Sequence, residues 1–238
     1  MKILLTNDDG ISSNGIKKME DVLKKYGDVY VVAPRLEQSG KSCSIQAHKG
    51  VNVDIMDERH IQVEGSPVDC VEVGFALTNL SFDIVVSGCN NGHNLANDVM
   101  YSGTCGACIQ ALFTNTKAIA FSCFNENYFY QIDEEVPKVM DFILKNKILS
   151  SKYFLNVNFP TTKQSKGIKI TKIEEPIYEK YRSVLIDRQC IVNRKNITKN
   201  MDEDSDVYAI NNGYISITPL SQTNYKDQYY EFLKNRVK

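Results

Sequence analysis

This chain of 238 residues has no excess of positive charge: 28 Lys and Arg stand against 29 Asp and Glu, a formal net charge of -1. Nothing basic is available to drive sequence-independent binding to nucleic acid, so no stable nucleic-acid complex is expected, although a local pocket for a small anion remains open. No apolar run approaches the length of a membrane span, and no membrane partner is expected. The first apolar run is only Ile3-Leu4-Leu5 before carboxylates intervene, too short for a signal-peptide core, and a cytoplasmic location follows as an expectation. Internal repeats and low-complexity tracts are missing. Cys105 and Cys108 have redox or zinc spacing, but no second Cys-x-x-Cys and no histidine pair completes a zinc site. The seven cysteines are odd in number and scattered, which reads as reduced thiols packed as small hydrophobes.

What is present is an alternation of strand and helix patterns. Ile16, Met19, Val22, Leu23 and Tyr26 mark one helix face. Buried strands are predicted at Lys2 to Thr6, Val29 to Ala33, Asp83 to Ser87, Ala118 to Ser122 and Phe154 to Asn158, with half-exposed strands at Val51 to Ile55 and His60 to Val63. Ser66, Pro67 and Asp69 give a strong helix start, N-cap, first-turn proline and capping-box acid, for a helix reaching about Leu80. A Gly- and Asn-rich loop is predicted from Gly88 to Gly103, a helix from Thr104 to Phe113, and another through Val136, Val139, Met140 and Ile143. Continuous apolar strands alternating with helices predict an α/β fold: a Rossmann-like, mostly parallel sheet sandwiched by helices. The pattern changes after Pro160, so the expected division is a core over 1–160 and an extension over 161–238. The extension is expected to hold more antiparallel strands at Ile168 to Thr171 and Tyr214 to Thr218, an irregular charged stretch from Ile177 to Asp206, and a terminal helix from Tyr225 to Lys234. It also reads as a segment that pairs with another subunit.

Ligands of open parallel sheets bind beyond the carboxyl ends of the strands. The first strand ends in Asn7, Asp8, Asp9 and Gly10. Two adjacent carboxylates repel each other, and a divalent cation would relieve that repulsion. A solvated Asp-Gly turn is the other reading. Ser39 and Gly40 follow the second strand, and Ser87, Asn90 and Asn91 the one ending near Val86. Carboxylate, hydroxyl and amide oxygens suit Mg²⁺ or Mn²⁺ better than zinc. Tyr101-Ser102-Gly103-Thr104 leads into a helix whose start offers unpaired N–H groups to an anion, or is simply capped by Ser102 or Thr104. No Walker A motif and no Gly-x-Gly-x-x-Gly fingerprint is present. A metal beside an anion-binding helix end suggests phosphoryl chemistry, with Asp8 or Asp9 positioning or deprotonating water, or attacking directly.

These residues resemble the SurE family of survival proteins, metal-dependent 5′-/3′-nucleotidases. Ile3 to Gly10 reads ILLTNDDG, Val31 to Pro34 VVAP, Ser39-Gly40 SG and Gly65 to Val71 GSPVDCV; Asp83 to Asn94 reads DIVVSGCNNGHN, Tyr101 to Thr104 YSGT and Gly213 to Leu220 GYISITPL. The resemblance covers nearly the whole chain. It implies one divalent ion per subunit, Mg²⁺ or Mn²⁺, held by Asp8, Asp9, Ser39 and Asn90. It also implies a phosphate cradle of Gly40, Ser102, Gly103 and Thr104, with Asn94 supporting the loop or touching phosphate, and hydrolysis of nucleoside monophosphates. Some relatives act on short polyphosphate. A β-rich C-terminal extension exchanged between subunits of a homodimer or homotetramer is implied as well. Departures are Gln110 and Ala111, where the family usually has an acidic residue and glycine, the helix cysteines Cys105 and Cys108, and His93. Because of Gln110, a catalytically weak nucleotide-binding regulatory module on the same fold stands as the alternative.

Overall fold

A computed structural model describes residues 1–46, 49–175, 178–186, 188–196 and 201–221. The chain runs β1 (Lys2–Thr6), α1 (Asn14–Leu23), β2 (Asp28–Pro34), β3 (Val53–Ile55), β4 (His60–Val63), α2 (Pro67–Thr78), β5 (Ile84–Asn91), α3 (Gly103–Phe113), β6 (Lys117–Cys123), α4 (Tyr130–Asn146), β7 (Phe154–Asn158), β8 (Ile168–Ile170), β9 (Tyr178–Ile186), β10 (Gln189–Asn196), α5 (Asp206–Asn211) and β11 (Ile215–Leu220). Nine strands form one sheet in the order β3-β4-β2-β1-β5-β6-β7-β11-β8. The six from β4 to β7 are parallel. Antiparallel pairings join β3 to β4 and β11 to β7.

The sheet is covered on both faces because its strands carry apolar side chains on both. Successive strand residues point to opposite faces. Thus Ile3 and Leu5 of β1 pack with Ile16 and Met19 of α1 and Val136 and Met140 of α4, while Leu4 packs with Val71 of α2 and Ala107 and Cys108 of α3. All three β1 residues are fully buried, each contributing about 1.5–3 kcal/mol. The predicted start of α2 is present in full: Ser66 Oγ accepts from the Asp69 N–H at 3.1 Å, and the Asp69 carboxylate accepts from the Ser66 N–H at 2.8 Å.

Several expected boundaries move. β5 does not stop at Ser87 but continues to Asn91, pairing with β6 again after a register shift between Ser87 and Asn90. Gly88 makes this passage: a Cβ there would lie 2.3 Å from the Phe121 carbonyl oxygen. A short 3-10 turn at Ala96–Met100 interrupts the predicted loop. The stretch expected to be irregular instead holds β9 and β10, an antiparallel hairpin separate from the main sheet. Its sequence lacks period-two alternation, so backbone pairing alone defines it. Six-residue α5, capped by Ser205, is too short to leave a periodic signal. Strands β8 and β11 of the extension join the core's own sheet. The terminal helix expected at 225–234 lies outside the described residues.

Candidate functional site

Strand order reverses between β1 and β5, and the crevice of an open α/β sheet opens at such a reversal. The β1 turn is locked by Asn7, whose Nδ2 donates to the Gly10 carbonyl at 3.1 Å and to Ser13 Oγ at 2.8 Å, while its Oδ1 accepts from the Gly10 N–H at 3.2 Å. Gly10, at φ +98°, closes a bend that other residues rarely adopt. This turn fixes Asp8 and Asp9 at the switch point.

Asp8 is only 3% exposed. Thr104 Oγ1 donates to its Oδ1 at 2.5 Å, and its carbonyl accepts from the Gln38 N–H at 2.7 Å. One aspartate thereby joins the start of α3 to the loop after β2. Asp9 Oδ2 accepts from the Asn91 N–H at 3.0 Å, which ties the pair to the end of β5. Burial pushes the Asp8 carboxyl above the usual carboxylate range, against the Thr104 hydrogen bond. Asp9 is pushed up to about 6, first by burial and then by the charge of Asp8. Glu37 adds to both effects and Glu126 to that on Asp9, carboxylates that sequence reasoning did not connect to the pair. For Glu37, the available signal was its place in the same turn as Ser39. Among the described residues, neither aspartate forms an ion pair.

Such a carboxylate concentration without a cation fits a divalent ion. The remaining donors are hard oxygens. Asn90 Nδ2 donates to the Gly92 carbonyl at 2.8 Å, so its Oδ1 is the amide atom left to bind a cation. Ser39 is exposed, and its Oγ donates to Glu37 Oε1 at 2.7 Å, leaving oxygen lone pairs available.

The start of α3 sits against the aspartates. A Cβ on Gly103 would lie 3.0 Å from Asp8 Cβ and 3.1 Å from Pro67 Cγ, so glycine permits this approach. Ser102 caps the helix, accepting from the Cys105 N–H at 3.1 Å. Gly40 faces open space and holds φ +73°. Asn94 is buried: its Nδ2 donates to Ser122 Oγ at 2.8 Å, and its carbonyl accepts from Asn156 and Asn158 at 2.8 and 3.1 Å. Its contacts thus anchor the loop after β5 to β6 and β7. The signal for that network was polar residues at the ends of otherwise apolar strands.

His93, in the loop after β5, is half-buried. Its Nε2 donates to the Phe159 carbonyl at 2.7 Å, and burial pulls its pKa down. Gln110 Nε2 donates to Glu72 Oε1, tying α3 to α2, and Ala111 is fully buried between the helices and the sheet. Cys105 and Cys108 are buried, and burial pushes the Cys105 thiol up to about 12, as for packing thiols rather than redox ones. Arg35 pairs with Glu64 at 2.6 Å. His60 opens β4 and meets Asp57 at 2.8 Å. His48 and the tail aromatics Tyr225, Tyr229, Tyr230 and Phe232 lie outside the described residues.

The family model described as Survival protein SurE matches residues 3–180. The chain belongs to the SurE family. A 5′/3′-nucleotidase SurE of Wigglesworthia glossinidia brevipalpis is 37% identical over 231 residues, covering 92% of this chain and 91% of the relative. A 5′-nucleotidase SurE of Legionella pneumophila (strain Paris) is 36% identical over 243 residues, covering 95% and 94%. The crystal structure of the SurE protein from Aquifex aeolicus superposes with a TM-score of 0.89 over 100% of both chains, at 30% identity. That SurE fold agrees with the mostly parallel sheet predicted from the strand pattern. Among the described residues, no helix is long and apolar enough to cross a membrane.

Proposed function

We propose that this chain is a divalent-metal-dependent phosphomonoesterase, a 5′-nucleotidase of acid-phosphatase type. It hydrolyses nucleoside 5′- and 3′-monophosphates to nucleoside and phosphate, with short polyphosphate as a further substrate. The observation that carries this reading is the Asp8–Asp9 pair: two partly desolvated carboxylates, free of any cationic side chain among the described residues, beside the start of α3. The nucleotidase names of the relatives supply the substrate class.

Asp8, Asp9, Ser39 Oγ and Asn90 Oδ1 would hold one Mg²⁺ or Mn²⁺ per subunit. When bound, the ion supplies charge to stabilise the phosphoryl oxygens and lowers the pKa of bound water. Gly103 and Thr104 bring the helix start to the phosphate, and Gly40 and Ser102 complete the cradle. Thr104 holds Asp8 in one orientation through its hydroxyl. Asn94 keeps the loop that follows Asn90 and the end of β5 in register with β6 and β7. Residues 1–160 act as the metal- and nucleotide-binding core. Residues 161–238 form the extension exchanged between subunits of a homodimer or homotetramer, and the enzyme works in the cytoplasm. The regulatory-module alternative rested on Gln110, whose bond to Glu72 is a helix-to-helix tie.

Phosphate release from nucleoside monophosphates tests the reading. Asp9→Ala, and separately the wild type in EDTA, should lose activity by a factor of roughly 10² or more. Full activity in either case would sink it.

A further inference from the structure

A cavity of about 540 Å³ opens beside the switch point, walled by Arg35, Leu36, Gln38, Lys41, Gln46 and Val63 among others. It is joined to the carboxylate turn by Gln38, which lines the cavity and donates its N–H to the Asp8 carbonyl. On the other side its wall reaches Ser66, the cap of α2, and the next residue, Pro67, stands against Gly103. The cavity therefore begins where the proposed phosphate cradle ends, and its volume suits a nucleoside.

Its charges are mostly internally matched. Arg35 is held by Glu64, and the Asp69 carboxylate accepts from the backbone N–H groups of Ser66 and Gln46, each at 2.8 Å. What remains to meet a ligand is one apolar face, the Lys41 ammonium, which has no ion pair among the described residues, and amide edges. Leu36 is 70% exposed, the most exposed of the large hydrophobic side chains among the described residues, and stands on the cavity wall. Gln38 and Gln46 each present an amide, whose only side-chain hydrogen bonds among the described residues are long, 3.4 and 3.3 Å to backbone carbonyls. An apolar face next to amides that both donate and accept matches a flat heterocycle with polar edges.

We infer that this cavity is the nucleoside subsite, with Leu36 covering one face of the base and Gln38 and Gln46 bonding its edge. It rests on the nucleotidase reading and assigns the residues that distinguish a nucleotide from any other phosphate ester. Leu36 is a specificity residue here, not a member of the phosphate or metal site.

The test compares adenosine 5′-monophosphate with p-nitrophenyl phosphate, which carries the phosphate ester without a nucleoside. The full chain, as wild type, Leu36→Asp and Gln46→Ala, is assayed with Mn²⁺. Leu36→Asp should lower kcat/KM on the nucleotide by roughly tenfold, through KM, and Gln46→Ala by a smaller factor. On p-nitrophenyl phosphate both should stay within about twofold of wild type. Adenosine should inhibit the wild type competitively and the Leu36 variant more weakly. Equal losses on both substrates, or no loss on the nucleotide, would overturn the subsite while leaving the nucleotidase reading intact. A wild type that cleaves p-nitrophenyl phosphate but no nucleotide would overturn both. Leu36 is exposed, so its replacement does not disturb the core.

Discussion

Replacing Asp9 with Asn should make the metal-free protein more stable while removing its response to metal. Asp9 ionises in the unfolded chain near 3.8 and in the folded protein near 6. Between those values the folded state holds a proton that the unfolded state has released, so stability falls as pH rises through the window and the loss is complete above about 6. The gap between 3.8 and about 6 corresponds to about 3 kcal/mol. Part of the carboxyl meets solvent, which screens the effect, so about 1–3 kcal/mol is the working range. Asn keeps an oxygen to accept from the Asn91 N–H and carries no charge. In EDTA at pH 7, Asp9→Asn should therefore raise the unfolding free energy by that amount and Tm by several degrees. Most of the gain should vanish by pH 4. Saturating Mn²⁺ should raise the wild-type Tm, by about 2.7 kcal/mol of stability at a hundredfold excess over Kd, and leave the variant unmoved. Urea and thermal denaturation with and without metal measure all of this. An Asp9→Asn protein less stable than wild type at pH 7 in EDTA would refute the reasoning, because the charge would then be stabilising the fold.

Two further outcomes follow from the same geometry. Gly103→Ala places a Cβ against Asp8 and Pro67 at 3.0–3.1 Å, so Asp8, Pro67 or the start of α3 must give by a few tenths of an ångström; KM for nucleotide should rise several-fold, as steady-state kinetics would show. Ser66→Ala removes the cap of α2 and should cost about 1 kcal/mol; since Ser66 also donates to the Ser44 carbonyl at 2.5 Å, a urea titration should find at least that loss.

The parallel core was legible because its strands are uninterrupted apolar runs and α1 and α4 carry a one-sided stripe, patterns that burial imposes directly, while α2 was marked by its cap. Asp8 and Asp9 were legible for the opposite reason: two carboxylates after Leu4-Leu5-Thr6 are costly unless something uses them. The β9–β10 hairpin was not, since its strands are defined by backbone pairing that leaves no periodic mark. The extension of β5 to Asn91 was hidden by Gly88, which reads as a loop residue but stands where Phe121 comes too close for a side chain. Glu126 was invisible as a neighbour of Asp9 because proximity across separate loops has no sequence signature, and Glu37 was marked only by its place in the turn of Ser39. His93 falls in the predicted loop, and nothing local marks its burial: its carbonyl partner, Phe159, is 66 positions away.

The central claim is that the Asp8–Asp9 turn binds a divalent ion used to cleave nucleotides. Its most direct test is phosphate release from adenosine 5′-monophosphate by the full chain, stripped with EDTA, dialysed and then titrated with Mn²⁺. The account predicts negligible release after stripping and recovery that saturates near one equivalent of bound Mn²⁺ per subunit. Undiminished release from the stripped protein would contradict it.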